Sequence, residues 1–408
     1  VYHLFERFGI ELEYMIVDKE TLSVNPLTDK VLEKVHGAIT NEVTCGDIGW
    51  SNELALHVIE LKTAQPAESL DGLDRKFHEN IRRINEILSE YNACLMGGPM
   101  HPFMDPYKEI RLWPHDYSPI YNAFDKIFSC KGHGWANLQS MHINLPFAND
   151  DEFGRLHAAI RLVLPLIPGL SAGSPFADAK ATGFHDTRME TYRKNSIKIP
   201  SITGSVIPEA VFTQKEYEEK ILQKIYHDLD WFDPQKILQE EWVNARGAIA
   251  RFERNTIEIR VIDVQETPFS DLAIADLVIK TVQMLISEKY SSLSDQKRIL
   301  QEPLVSTFLD SIHLGEKASV TDSEYLRVLG APGEPCTLND LWKNIDFRIN
   351  GIEKKKKSEN YNPLDILFEK GTLATRILEI TGHSPSKSEL QKLCSRLCGS
   401  LNNGVMIG

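Results

Sequence analysis

The sequence predicts a mixed protein, α+β or α/β, ending in a helical tail. Three observations carry that expectation. Period-2 apolar patterns mark strands at 9–18, 57–63, 138–145 and 256–263. Segments of helical period lie between them. After about residue 291 the period-2 patterns stop and capping signals take over.

In chain order, "GIELEYMIVD" alternates Ile10, Leu12, Tyr14 and Ile16 with Glu11 and Glu13. Residues 69–96 place Leu70, Leu73, Phe77, Ile81, Ile84 and Leu88 on one helical stripe, stopped by Gly97-Gly98-Pro99. A second helix is expected over 151–167. The Thr213…Glu216 capping pattern opens a third. A fourth, over 271–288, is apolar all round and so should be buried. Further capping patterns fall at 321–324 and 386–389, and the Glu353–Lys357 run reads as a solvated loop. The expected organisation is a catalytic sheet-and-helix unit over 1–292 with a helical region over 293–408 packed on it.

The 408 residues are 42% hydrophobic and 25% charged, an ordinary globular balance. The net charge of −13 argues against nucleic acid or an anionic membrane as partner, since both demand a basic face. The most apolar run, 158–170, is broken by Arg161 and two prolines and is too short to span a bilayer. No signal-peptide pattern opens the chain, and the six dispersed cysteines fit reduced thiols, so a cytoplasmic location is expected.

The strands carry unusual charge. Residues two apart on a strand share a face, so Glu11 and Glu13 point the same way about 7 Å apart. "HVIELKT" sets Val58, Glu60 and Lys62 against Ile59 and Leu61, and "QSMHINL" sets Ser140, His142 and Asn144 against Met141, Ile143 and Leu145. "RFERNTIEIRVID" reads as a strand with Glu258 and Arg260 on one face. A solvated sheet face would also be polar, but glutamate is depleted in strands and needs a reason there. If the strands share a sheet, Glu11, Glu13, Glu60, His142 and Glu258 converge. Their mutual repulsion would then be relieved by hard divalent cations, Mg²⁺ or Mn²⁺. Arg188, Arg193, Lys194, Arg246, Arg251, Arg254 and Arg260 are candidate clamps for phosphate or carboxylate. His101 in "GGPMHPF" is a candidate on the substrate side, a structural role being the alternative. No P-loop, dinucleotide fingerprint or HExxH motif occurs.

The motifs "GIELEYMIVD", "VIELKTAQP", "GGPMHPF", "QSMHINL" and "RFERNTIEIRVIDVQ", in that order, resemble the glutamate–cysteine ligase family, in its bacterial type 2 carboxylate–amine ligase branch. The resemblance covers about residues 8–290, and more loosely 371–377. It implies a glutamine-synthetase-like α+β fold, a curved, mainly antiparallel sheet with helices on its outer side and the active site on its concave face. It implies ATP as co-substrate, activation of the γ-carboxylate of glutamate as an acyl phosphate, and attack by an amine such as that of cysteine. By motif position Glu11 and Glu13 would hold separate Mg²⁺ ions, with Glu60, His142 and Glu258 completing the cage. Arg260 would contact the transferred phosphoryl group. From the residues themselves, Arg193, Arg251, Arg254 and His101 are the ones expected on the substrate and nucleotide side. The partners expected are small molecules, and homo-oligomers are compatible with the sequence. Two other readings use the same residues, a metal-dependent phosphohydrolase and a non-catalytic relative that binds ATP or an amino acid.

Overall fold

The computed structural model describes residues 1–351 and 362–408. The lysine run lies outside the described residues. The polypeptide is built on one antiparallel sheet. Its strands are β1 (Gly9–Asp18), β2 (Glu42–Cys45), β3 (Ile48–Asn52), β4 (Val58–Thr63), β5 (Ala93–Met96), β6 (Ser140–Pro146), β9 (Ala248–Arg251) and β10 (Thr256–Asp263). β7 (Phe176–Ala177) and β8 (Lys180–Ala181) form a separate short hairpin. The order across the sheet is β2-β3-β4-β1-β6-β10-β9, with β5 paired to the far end of β1. Every pairing is antiparallel.

The four strands legible from alternation are present, and the sheet is wider than alternation predicted. β2 and β3 are short and polar, joined at Gly46 with φ +68°. "RFERNTIEIRVID" is a hairpin rather than a single strand. β9 ends at Arg251, and the chain reverses through Asn255 at φ +54°, a left-handed conformation that asparagine tolerates. The long helix expected over 69–96 stops at Ser89. The chain turns at Asn92, φ +52°, and Ala93–Met96 joins the sheet, with Leu95 N–H donating to Asn85 Oδ1 at 2.8 Å.

The helices used below are α1 (Leu73–Ser89), α2 (Ser118–Phe128), α3 (Asp150–Val163), α4 (Thr187–Asn195), α5 (Pro268–Ile286), α6 (Gln301–Leu314), α7 (Leu338–Asn350) and α8 (Lys387–Asn403). The apolar face of the sheet, Ile10, Leu12, Tyr14, Met141, Ile143 and Ile257 among others, forms one core with Phe77, Ile81 and Ile84 of α1 and the apolar surface of α5. α5 is buried nearly throughout, as its composition requires. Asp322 rather than Thr321 caps the helix at 323–328, because the aspartate one position on accepts Tyr325 N–H at 2.7 Å. The box at Ser386 and Glu389 forms as expected and starts α8. Beyond residue 293, α6 and α7 add Leu304, Phe308, Leu341 and Trp342 to the main core. α8 packs Leu393 and Leu397 against Met15 and Met96. Among the described residues no helix is long and apolar enough to cross a membrane, and all six cysteines are free.

With helices covering the oily face, the polar face is left for the site. One buried ion pair ties the end of β10 to α4, Arg188 Nε donating to Asp263, both almost wholly inaccessible. Asp263 also accepts Gly173 N–H at 2.9 Å. Removing one partner of such a pair strands a buried charge, at a cost of about 3–5 kcal/mol. Asp263→Ala should therefore lower the urea midpoint sharply, by the equivalent of about 3–5 kcal/mol; an unchanged midpoint would show that the pair is not needed for the fold.

Candidate active site

Antiparallel register sets charged residues in rows across the polar face. Glu11 lies opposite Lys62 on β4 and His142 on β6. Glu13 lies opposite Glu60, which lies opposite Ser51 on β3. Glu258 lies opposite Asn144, which lies opposite Gly9. Opposed residues project to the same side, so the alternation read in each strand becomes one shared floor. Above it is a cavity of about 920 Å³, lined by Glu11, Glu13, Glu60, His142, Glu258 and Arg260, among others.

Second partners hold these side chains in place. His142 Nδ1 is 2.9 Å from Glu11 Oε2, and Asn144 donates to Glu11 Oε1 at 3.0 Å. Ser140 donates to Glu13 Oε2 through its backbone N–H at 2.7 Å and its hydroxyl at 2.9 Å. The Ser51 hydroxyl donates to Glu60 at 2.8 Å, and Lys62 stands 3.4 Å from the same carboxylate. Arg260 grips Glu258 through Nε at 3.0 Å and through Nη2, and Arg251 approaches the other oxygen at 3.7 Å. A register shift in β10 between Ile259 and Ile262 accompanies the Arg260 position.

Two sets of donors each have their ligand atoms within 4.8 Å of one another, Glu11 with Glu60 and His142, and Glu13 with Glu53 and Glu60. Glu60 belongs to both. Two carboxylates at that separation repel by roughly 3 kcal/mol at an effective dielectric constant of about 20. The effect is visible in the acidities. Burial and the Glu11 charge push Glu60 up to about 7, against Lys62 and the Ser51 hydrogen bond. Burial, then Glu60, Glu13 and Glu11, raise Glu53 well above the usual carboxylate range. Burial opposes the imidazolium of His142, but the Glu11 hydrogen bond and the Glu13, Glu11 and Glu258 carboxylates carry it to about 9. Glu258 differs from its neighbours. Burial alone would raise it, yet the Arg260 and His142 charges hold it at about 2. Oxygen donors with a single imidazole, crowded enough to retain protons, suit a hard divalent cation better than a soft one.

All five predicted ligands thus share one floor, and Arg251, Arg254 and Arg260 line the same cavity. Two predicted substrate residues do not. His101 is fully buried, its Nε2 lying 2.7 Å from the Leu22 carbonyl and its backbone N–H bonded to Asn137, so it braces a loop away from the cavity. Arg193 is occupied by Glu190 on its own helix and does not line the cavity. Arg246 is likewise taken, by Glu209. Glu53 was missed. It follows β3 on the Gly49–Ser51 side, and that alternation becomes informative once "IGWSN" is recognised as a strand.

Known proteins resemble this chain in both sequence and fold. A protein of Archaeoglobus fulgidus named "Uncharacterized protein" is 34% identical over 346 residues, 81% of this chain and 92% of its own. A "Putative glutamate--cysteine ligase 2" of Acidovorax sp. (strain JS42) is 24% identical over 294 residues, 69% of this chain and 68% of its own. Among solved structures, a bifunctional glutathione synthetase from Pasteurella multocida superposes with a TM-score of 0.59 at 14% identity. That match covers 98% of this chain and 53% of the larger one, so the chain spans about half the length of that enzyme and shares its fold. The sequence model of glutamate-cysteine ligase family 2 matches residues 7–327, through every strand of the charged floor, and the chain belongs to that family.

Proposed function

We propose that the protein is an ATP-dependent carboxylate–amine ligase that activates the γ-carboxylate of glutamate as an acyl phosphate and passes the acyl group to an amine. The fold is then of glutamine-synthetase type, with residues 1–292 carrying the chemistry and 293–408 buttressing it. The observation that supports this reading best is the pairing of two carboxylate sets through Glu60 with an arginine-gripped glutamate, Glu258, on the floor of one cavity.

Phosphoryl transfer needs little covalent help from a protein; it needs charge placed and held. Glu11, Glu60 and His142 would hold one divalent ion and Glu13, Glu53 and Glu60 a second, with Glu258, close to His142, completing the cage. Bound there, the ions would neutralise the phosphate oxygens and the carboxylate that approaches them. Arg260 would face the transferred group, its fork pre-set by Glu258 so that little reorganisation is needed when charge develops. Arg251, itself buried, would add positive charge on the same side. The carboxylate oxygen attacks the terminal phosphorus and ADP leaves. The amine nitrogen then attacks the acyl carbon, and phosphate departs with the bonding pair.

Incubation with ATP, Mg²⁺, glutamate and a panel of amines should release ADP and phosphate in an amine-dependent manner. Absence of ADP with every amine would overturn the reading. Glu258→Gln should lower turnover by at least about a hundredfold and, because it leaves Arg260 without its buried carboxylate, should also lower the urea midpoint. Arg260→Lys should cost on the order of 10²–10³-fold, because a point charge does not replace a planar fork. Full activity in either variant would remove that residue from the assigned role.

Metal affinity should depend on pH. The pKa of Glu60 in the fold lies above its unfolded value of 4.5, so the metal-free fold binds the extra proton and loses stability as pH rises from about 4.5 to about 7. His142 gives stability that is complete below 6.5 and lost as pH rises through about 9. A metal must displace both protons. The Mg²⁺-induced rise in Tm should therefore grow steeply with pH to about 7 and more gently to about 9. A shift that ignores pH would contradict the ligand assignment.

A further inference from the structure

The cavity is polarised along the strands, and its two ends differ in chemistry. Along β1, Gly9, Glu11 and Glu13 step down one face at about 7 Å per two residues. Beyond the Gly9 row, Thr256 pairs with Arg251 and with Pro146. Arg7 and Arg254 line the cavity at that same end, together with Tyr2 and Phe8. With Arg251 these arginines, held by Glu68 and Glu253, make this the cationic end of the cavity.

Beyond the Glu13 row the lining is aromatic. Trp135 and Leu138 lead into Ser140, which is hydrogen-bonded to Glu13. On the β3 side, Asn52 donates to the Tyr121 hydroxyl at 3.1 Å, which fixes α2 beside Glu53. One turn along α2, Phe124 reaches the cavity. Its ring centroid lies 5.3 Å from that of Trp135 and 5.8 Å from that of Trp242. Tyr192 of α4 adjoins Arg260 and lines the same end. These rings are only part-buried, so apolar surface is left open to the cavity. A thiol as small as that of cysteine would leave most of that surface wet, whereas an aromatic group would cover it.

We infer that the amine joined to the activated carboxylate carries an aromatic or bulky apolar body, seated against Phe124, Trp135 and Trp242. This rests on the ligase reading above. The amine nitrogen bonds to the acyl carbon as the bond to phosphate oxygen breaks. Phosphate leaves with the electron pair and takes up the proton the nitrogen gives away, so no further reactant is needed. The arginine end would take the nucleotide, and Trp242, next to Glu241 whose carboxylate accepts Phe252 N–H at 3.1 Å, forms the side of the aromatic seat nearest to it.

The test is an amine panel with ATP, Mg²⁺ and glutamate, reading ADP release with 2-phenylethylamine, tyramine, phenylalanine, cysteine and ethylamine. The aromatic amines should give kcat/KM at least about tenfold above cysteine and ethylamine, the size expected for a ring stacked in an aromatic seat. Trp135→Leu and Trp242→Leu should raise the KM for the aromatic amine by about tenfold while the KM for ATP stays within about twofold. A readout apart from turnover is tryptophan fluorescence, which tyramine should quench saturably in the parent protein and less in each variant. Cysteine or ethylamine preferred over every aromatic amine would overturn this inference and leave the ligase reading standing. Absence of ADP with all of them would instead overturn the ligase reading. If a leucine variant unfolds, Phe124→Leu gives the same comparison.

Discussion

Like charges forced together on the polar face of the sheet, the floor of the cavity, are the constraint around which this protein is organised. Antiparallel register brings Glu11, Glu13 and Glu60 side by side, and the loop after β3 adds Glu53. Left alone, such a set resists ionisation, as the acidities of Glu53 and Glu60 show. The fold does not cancel that repulsion internally. It supplies one lysine, one imidazole and short hydrogen bonds from Ser51 and Ser140, enough to position the carboxylates without neutralising them. A site that retains its repulsion is prepared for cations, and the surrounding arginines are placed for the anion those cations would carry.

Glu258 shows how the same residue type takes another part. Gripped by Arg260 and approached by Arg251, it stays ionised where Glu60 holds its proton to about 7. The pair orients the arginine fork toward the cavity. The β10 irregularity next to it and the buried Arg188–Asp263 pair beyond it give this end of the strand a rigid seat. The helices that cover the oily face, α1 and α5 above all, keep the sheet from yielding when the charged face is loaded.

The sequence showed the floor well because strand alternation is a local signal. Ile10, Leu12 and Tyr14 had to be inside, and Glu11 and Glu13 therefore opposite them. The same logic failed where strands were too short or too polar to announce themselves. β3 was not recognised, so Glu53 was overlooked, and β9 was merged with β10 across the Asn255 turn. For His101 the substrate side and a structural role stood open, and its loop runs through the interior, where the imidazole braces Leu22. Arg193 was chosen for standing among arginines in sequence, and sequence distance does not reveal that Glu190 on the same helix occupies it. Long-range pairing decides such cases, and no single segment shows it.

Diffraction from crystals soaked in Mn²⁺, recorded at the manganese edge, tests the central claim most directly. Two anomalous peaks are predicted per chain, one among Glu11, Glu60 and His142 and one among Glu13, Glu53 and Glu60, each about 2.0–2.2 Å from its oxygen ligands. A floor without such peaks, with the carboxylates protonated or turned away from one another, would contradict it.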